Sequence, residues 1–186
     1  PIREEPLHLV PRSLREEFEE VYNIKIEGDL CPVCRHNLLE EYNGDYTQVP
    51  ITTSSFSIRG RRGVGVVPPM DPNTQDTSIL IGSEDISKMD LYSEDDPRVL
   101  SLNGAFNVGN RGIVEFVEVF KNEIEFLHTM ITATQEKSVP SPGKQAMIYF
   151  DGVIISHCNE AEWNKFRAEH TNEAILDRIV RVNVPY

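Results

Sequence analysis

The sequence predicts an α/β fold in which a parallel sheet is flanked by helices, and three features carry that prediction. Residues 113–120 are mostly apolar on both faces, as a strand buried within a parallel sheet must be. Ile124, Leu127 and Ile131 follow at helical spacing and give the next segment one apolar face. Farther on, apolar runs at 146–150 and 153–156, a helix over 160–168 and a short strand over 179–184 continue the alternation of strand and helix found in layered α/β proteins.

The earlier elements follow from local signals. Residues 1–10 read as extended. Ser13 and Glu16 form an S-x-x-E capping box, in which each side chain satisfies an amide left open at a helix start. Leu14, Phe18 and Val21 recur at i, i+4 and i+7, opposite a solvated face of Arg15, Glu16, Glu19 and Glu20. Gly28-Asp29 interrupts the chain. A second helix runs from Pro32 to Tyr42, with proline where its missing N–H costs nothing, and stops at Asn43-Gly44-Asp45. Residues 46–73 show little periodicity and read as loop, with a short strand around 64–67. A short helix over 74–81 is closed by Gly82, residues 83–103 form an acidic loop, and Asn122 with Glu125 resembles another cap. Asp151-Gly152, set between two apolar runs, signals a two-residue hairpin, because a type I′ turn needs positive φ at both positions.

Composition narrows the function classes. The 186 residues suffice for one domain with a real core, and 39% hydrophobic with 26% charged residues is ordinary for a globular protein. Apolar runs fall far short of the ~20 residues that cross a bilayer, and no secretion signal opens the chain. A formal net charge of −12 argues against nucleic acid, whose phosphates are neutralised by Lys and Arg. Arg59, Arg61 and Arg62 make one short basic loop, read as a solvated turn among glycines. Three cysteines without framework spacing point to a reducing cytoplasm. Within the chain, Cys31-x-x-Cys34 is half of a tetrahedral zinc site, a redox pair, or two inert thiols at a helix start, and the residues leave all three open. The start at Pro1 rather than Met suggests a piece of a longer chain.

No phosphate loop of the form G-x-x-x-x-G-K-[ST] is present: Gly143-Lys144 is followed by Gln145, and the glycine-rich stretch 60–65 lacks the lysine. Protein-kinase H-R-D and D-F-G loops are missing too. Residues 104–119, however, resemble the stretch leading into the Walker B strand of magnesium-chelatase, MoxR-like and MCM-like AAA+ ATPases. Asn110-Arg111-Gly112 matches their leader and Glu118 their glutamate, which orients the attacking water. Val117 stands where those families place a magnesium-directed Asp, so that weak hydrolysis, or substitution by Glu115 or another carboxylate, is implied. Asn159, ending an apolar run, resembles sensor 1; the alternative is an asparagine starting a turn. Arg178, in a stretch like L-L-D-R-F, resembles an arginine finger; the alternative is a partner for a helix end.

Three further stretches narrow the resemblance: 4–11 (Glu-Glu-Pro-Leu-His-Leu-Val-Pro), 26–35 (Ile-Glu-Gly-Asp-Leu-Cys-Pro-Val-Cys-Arg) and 157–162 (His-Cys-Asn-Glu-Ala-Glu). With Asp71-Pro72, Gln75-Asp76 and 179–186, they are similar to PrkA-family serine protein kinases along essentially the whole chain. That resemblance implies a partial AAA+ P-loop NTPase-type core over 71–186 and a family-specific helical and loop insertion over 1–70. It further implies a phosphate loop upstream and a helical lid and kinase-like region downstream. Glu118, Asn159 and Arg178 are then the catalytic candidates, with Asn110, Arg111 and Asn159 toward nucleotide. ATP and Mg²⁺ are the implied cofactors, a protein the substrate, a homo-oligomeric ring the assembly, and neither nucleic acid nor membrane a partner. A further cysteine before Pro1 would join Cys31 and Cys34 on zinc, with His8 or His36 as fourth ligand. Two other readings remain: an ATP-dependent Lon-like protease or unfoldase module, and a catalytically inactive interaction or oligomerisation domain.

Overall fold

The computed structural model describes residues 6–69, 76–122, 124–144 and 146–184. Among them a three-stranded parallel sheet carries β1 (Val64–Val67), β4 (Ile113–Phe116) and β7 (Val153–Ser156) in that spatial order. Its register pairs Val64 with Ile113 and Ile113 with Val153, so the three strands begin and end together. Gly65, Val67, Val114 and Phe116 face one side and are buried. That side receives α5 (Ala105–Val108) and contributes to one core cluster with Phe126, Leu127 and Met130 of α6 (Ile124–Gln135). Phe106 of α5 anchors it, with its ring 6.0 Å from Phe116 and 5.1 Å from Phe150. Gly65 is required there: a Cβ would collide with the Ala105 carbonyl. The other face is open, with Val66, Val153 and Ile155 exposed. Leu9, Leu30, Cys31, Cys34 and Val49 join the same buried cluster as the sheet residues.

Several helices form where local chemistry placed them. α2 (Pro32–Tyr42) starts on proline and ends at Asn43 in the left-handed region, φ 50. α7 (Glu160–Ala168) is capped by Asn159. α1 (Arg12–Tyr22) forms without the capping box: Pro11 is the N-cap, no side chain caps it, and Leu14 N–H closes onto the Pro11 carbonyl at 2.9 Å. Glu19, expected in solvent, accepts from the Ile26 amide at 2.7 Å. Pro6–Leu9 is a 3-10 turn rather than extended chain, with His8 and Leu9 buried.

The acidic stretch after Gly82 is structured: α3 (Ser78–Ile81) precedes it, and β2 (Ser83–Glu84), α4 (Ile86–Met89) and β3 (Leu100–Ser101) lie within it. Its aspartates cap short turns, Asp85 accepting from Ser87 N–H and Asp96 from Arg98 N–H, which is the local bonding that favours Asp in turns. Residues 74 and 75, expected to begin α3, lie outside the described residues. Asn122 does not cap α6; its amide donates back to the Val119 carbonyl at 3.2 Å, and the Glu125 side chain lies outside the described residues.

Two further expectations are corrected. The runs on either side of Asp151-Gly152 do not pair as a hairpin. β6 (Met147–Tyr149) pairs antiparallel with β5 (Ser138–Pro140), while β7 joins the parallel sheet. Neither Asp151 nor Gly152 has positive φ, so no type I′ turn forms. Their backbone groups bond instead to the chain entering β4: Asp151 N–H to Asn110 Oδ1 and Val153 N–H to the Gly112 carbonyl. Residues 179–184 form no strand. Val180, Val182 and Val184 are 90%, 76% and 83% exposed, for want of a hydrogen-bonding partner among the described residues. α8 (Glu173–Leu176) lies just before them.

Candidate functional site

Ligands of open parallel sheets bind beyond the carboxyl ends of the strands. At that edge β4 ends with Val117 N–H donating to the Val67 carbonyl, and Val119 N–H donates to the His157 carbonyl from the chain after β7. Between them Glu118 takes the left-handed conformation, φ 49 and ψ 55, which returns the buried Val119 to the core. For a residue other than glycine this costs of order 1–3 kcal/mol and recurs at functional positions. The Glu118 carboxylate meets Lys121 Nζ at 2.5 Å. That contact raises the Lys121 pKa above its ordinary value. Lys121 also lies 3.9 Å from Glu162 Oε1.

Asn159 stands three residues beyond β7 at the same edge, its Oδ1 accepting from Glu162 N–H at 2.8 Å to cap α7. The Phe120 and Phe166 rings stack at 4.2 Å, locking α7 against the turn that follows Glu118. The structure thus brings Glu118 and Asn159 to one edge, through Lys121 and Glu162. The sequence reading missed those two. Asn159-x-x-Glu162 has the spacing of a cap followed by an N3 glutamate, a signal that was available.

Asn110 and Arg111 are not at that edge. They precede β4, a strand's length away, at the amino ends of the strands. Asn110 is buried; it donates to the Tyr149 carbonyl at 3.2 Å and accepts from Arg111 N–H at 3.1 Å and Asp151 N–H at 2.9 Å. Arg111, at φ 60, donates its N–H to the Asp151 carbonyl at 2.6 Å. Its guanidinium lies 3.3 Å from His8 Nε2 and 3.9 Å from the Asp151 carboxylate. His8 Nε2 donates to the Glu27 carbonyl at 2.6 Å, and burial lowers the imidazole pKa. These groups tie the N-terminal turn to the sheet, at the opposite end of the strands from Asn159.

Arg178, just past α8, is exposed; it donates to the Ala174 carbonyl and to Gln135 Oε1, the latter at 3.2 Å. Gln135 ends α6, about 16 Å along the helix from Ile124 at 1.5 Å per residue. The structure therefore does not bring Arg178 to Glu118 within one chain. Cys31 is the N-cap of α2, its Sγ accepting from Cys34 N–H at 3.4 Å, and both thiols are buried. Among the described residues no group of three metal-ligating side chains assembles around them. Nor, among those residues, is any helix long and apolar enough to cross a membrane.

The chain is similar to several known proteins along its length. The family model described as "PrkA AAA domain" matches residues 1–186. "ATP-dependent protease PrkA" of Bacillus subtilis (strain 168) is 41% identical over 187 residues, covering 100% of this chain and 30% of that protein. "Serine/threonine kinase YeaG" of Escherichia coli (strain K12) is 36% identical over 189 residues, covering 100% of this chain and 29% of that protein. The chain therefore spans less than a third of the curated relatives it matches. Among solved structures, NtrX from Brucella abortus in complex with ADP aligns with a TM-score of 0.47 and 19% identity, covering 68% of this chain and 25% of that one.

Proposed function

The chain belongs to the PrkA AAA domain family, and from that premise we propose that it is the hydrolysis-bearing part of the ATPase region in a longer serine/threonine protein kinase. The observation that supports this most is Glu118, held in the left-handed conformation at the carboxyl edge of the parallel sheet, with Asn159 on the neighbouring strand's exit. ATP and Mg²⁺ supply the phosphoryl group and its counter-charge. Glu118 orients the attacking water, and its contact with Lys121 holds the carboxylate in place until nucleotide competes for it. Asn159, its oxygen engaged by the Glu162 amide, presents its NH₂ as a donor. Arg178 is exposed and bonded to the Ala174 carbonyl and Gln135 rather than to its own Glu118, which suits action on a neighbouring copy's nucleotide in a ring. The phosphate-loop amides and lysine come from the remainder of the longer protein, and a separate region transfers phosphate to a protein substrate in the cytoplasm.

The deciding experiment uses the full-length protein. Glu118→Gln should leave ATP affinity near that of the unsubstituted protein and lower turnover by about 10²–10⁴-fold, the usual contribution of a positioned acid–base group. Turnover within a few-fold of the original would refute the assignment. The printed name of the B. subtilis relative favours a second reading, an ATP-driven protease. Transfer of γ-labelled phosphate to protein supports the first reading, and ATP-dependent loss of a substrate band the second.

A further inference from the structure

α1 is an amphipathic helix whose apolar stripe is left without cover. Leu14, Phe18, Val21 and Tyr22 recur at i, i+4, i+7 and i+8, yet no residue of the helix is buried. One side is held to the turn over 26–29: Arg12 pairs with Asp29, Arg15 donates to the Gly28 carbonyl, and Glu19 accepts from the Ile26 amide. The outer side presents Val21 and Tyr22, both exposed, with Glu17 and Glu20. Residues four apart share a helix face, so Glu17 stands one turn from Val21. Among the described residues, the carboxylates of Glu17 and Glu20 have no bonded partner.

The turn before β1 has the complementary chemistry. Arg59, Arg61 and Arg62 set three of the chain's 18 Lys and Arg within four residues, the densest positive charge of a chain at −12. The sequence reads this stretch as a solvated turn, but the structure makes it a braced tip. Ser57 and Arg62 exchange backbone hydrogen bonds at 2.9 Å, Gly60 N–H donates to Ser57 Oγ at 3.0 Å, and Arg61 donates to the Asn103 carbonyl at 2.8 Å. Gly63 lets the Phe56 ring lie against the tip, since a Cβ there would overlap the ring. Phe56 and Ile58 are exposed alongside Arg59 and Arg62. The tip thus joins apolar to cationic groups, where α1 joins apolar to anionic ones.

Two copies of so acidic a chain repel on average, so an attractive contact between them must set this positive tip against a negative surface. The acidic stretch after Gly82 suits it less. Asp85 is already engaged by Ser87 and Lys88, and Asp96 by Arg98, whose guanidinium also covers the Tyr92 ring at 3.8 Å. We propose that the tip over 56–62 of one copy docks on the outer face of α1 of a second copy. Arg59 and Arg62 meet Glu17 and Glu20, and Phe56 and Ile58 cover Val21 and Tyr22. The two surfaces differ, so the contact is heterologous and runs head to tail, closing into a ring where its rotation allows. It supplies a contact to the neighbouring copy that the reading of Arg178 calls for, and rests on that reading only for the ring.

The test reads self-association of the full-length protein by sedimentation velocity at low ionic strength, where surface charge is least screened. Reversing the helix face (Glu17→Arg with Glu20→Arg) or the tip (Arg59→Glu with Arg62→Glu) should weaken association by about tenfold or more, because like charges then face each other. The milder Glu17→Gln with Glu20→Gln should weaken it by less. An equimolar mixture of the two reversed proteins should recover the original strength, since each surface then meets its opposite charge on the other protein. Docking on another region of the same chain, or on a different protein, predicts no such recovery. Association unchanged by either reversal overturns the proposal, as does a loss that mixing fails to recover. If the contact fails while Glu118→Gln binds ATP without hydrolysing it, the proposed function stands. If the mixture recovers but Glu118→Gln turns over normally, the chemistry falls and the contact remains.

Discussion

Replacing Asn110 by alanine distinguishes a nucleotide contact from an internal clamp. The carboxamide accepts from Arg111 and Asp151 N–H groups and donates to the Tyr149 carbonyl, at a residue only 7% exposed. Arg111 N–H keeps a second acceptor, the Asp151 carbonyl. Alanine thus strands two backbone groups, the Asp151 N–H and the Tyr149 carbonyl. Each stranded group costs about 1–3 kcal/mol when buried, and the exposure of Asp151 tempers its share, giving about 2–4 kcal/mol in total. Urea denaturation of the chain, with a slope of ~2 kcal/mol per molar, should show a midpoint lowered by about 1–2 M. Asn110→Ala in the full-length protein, below its own unfolding range, should bind ATP as before. A midpoint shifted by less than about 0.3 M, together with weakened nucleotide binding, would refute the clamp and return Asn110 to the nucleotide.

Gly65→Ala should destabilise the chain by at least about 1–3 kcal/mol, because the new methyl meets the backbone carbonyl of Ala105, which cannot rotate away; a denaturation midpoint matching the original would show that α5 shifts freely. The 186-residue chain alone should not bind ATP tightly, since it has no phosphate loop; a micromolar dissociation constant by fluorescence titration would contradict this. Arg178→Ala in the full-length protein should remove most turnover while leaving ATP binding in place, by up to the roughly 10³–10⁵-fold seen for arginine fingers in GTPases. Mixing it with Glu118→Gln protein should restore partial activity through interfaces that pair an intact Arg178 with an intact Glu118, and no recovery despite verified co-assembly would exclude action in trans.

How far the sequence disclosed these features depends on where each signal resides. α2 and α7 were legible because proline at an N-terminus, a left-handed asparagine and an Asn-x-x-Glu cap are local chemistry, settled within a few residues. β4 was legible from the apolar run 113–120, but only Ile113–Phe116 is strand and its second face, which carries Glu115, is not buried. The Asp151-Gly152 signal misled because a turn type is a local preference, and here the backbone N–H groups that a hairpin would use are taken by Asn110 and Gly112 from a distant segment. Residues 179–184 show the converse: alternating valines specify a face, but a strand exists only where another strand offers its ladder.

The same distinction governs the site. Glu118 and Asn159 could be placed at one edge from the order of strand ends alone, since parallel strands in register deliver their exits together. Asn110 and Arg111 were assigned toward nucleotide through a resemblance to a leader motif, and the structure sets them at the amino end of β4, opposite Glu118 and Asn159. Sequence distance to a catalytic strand is thus a poor measure of distance to its chemistry; the direction of the strand decides.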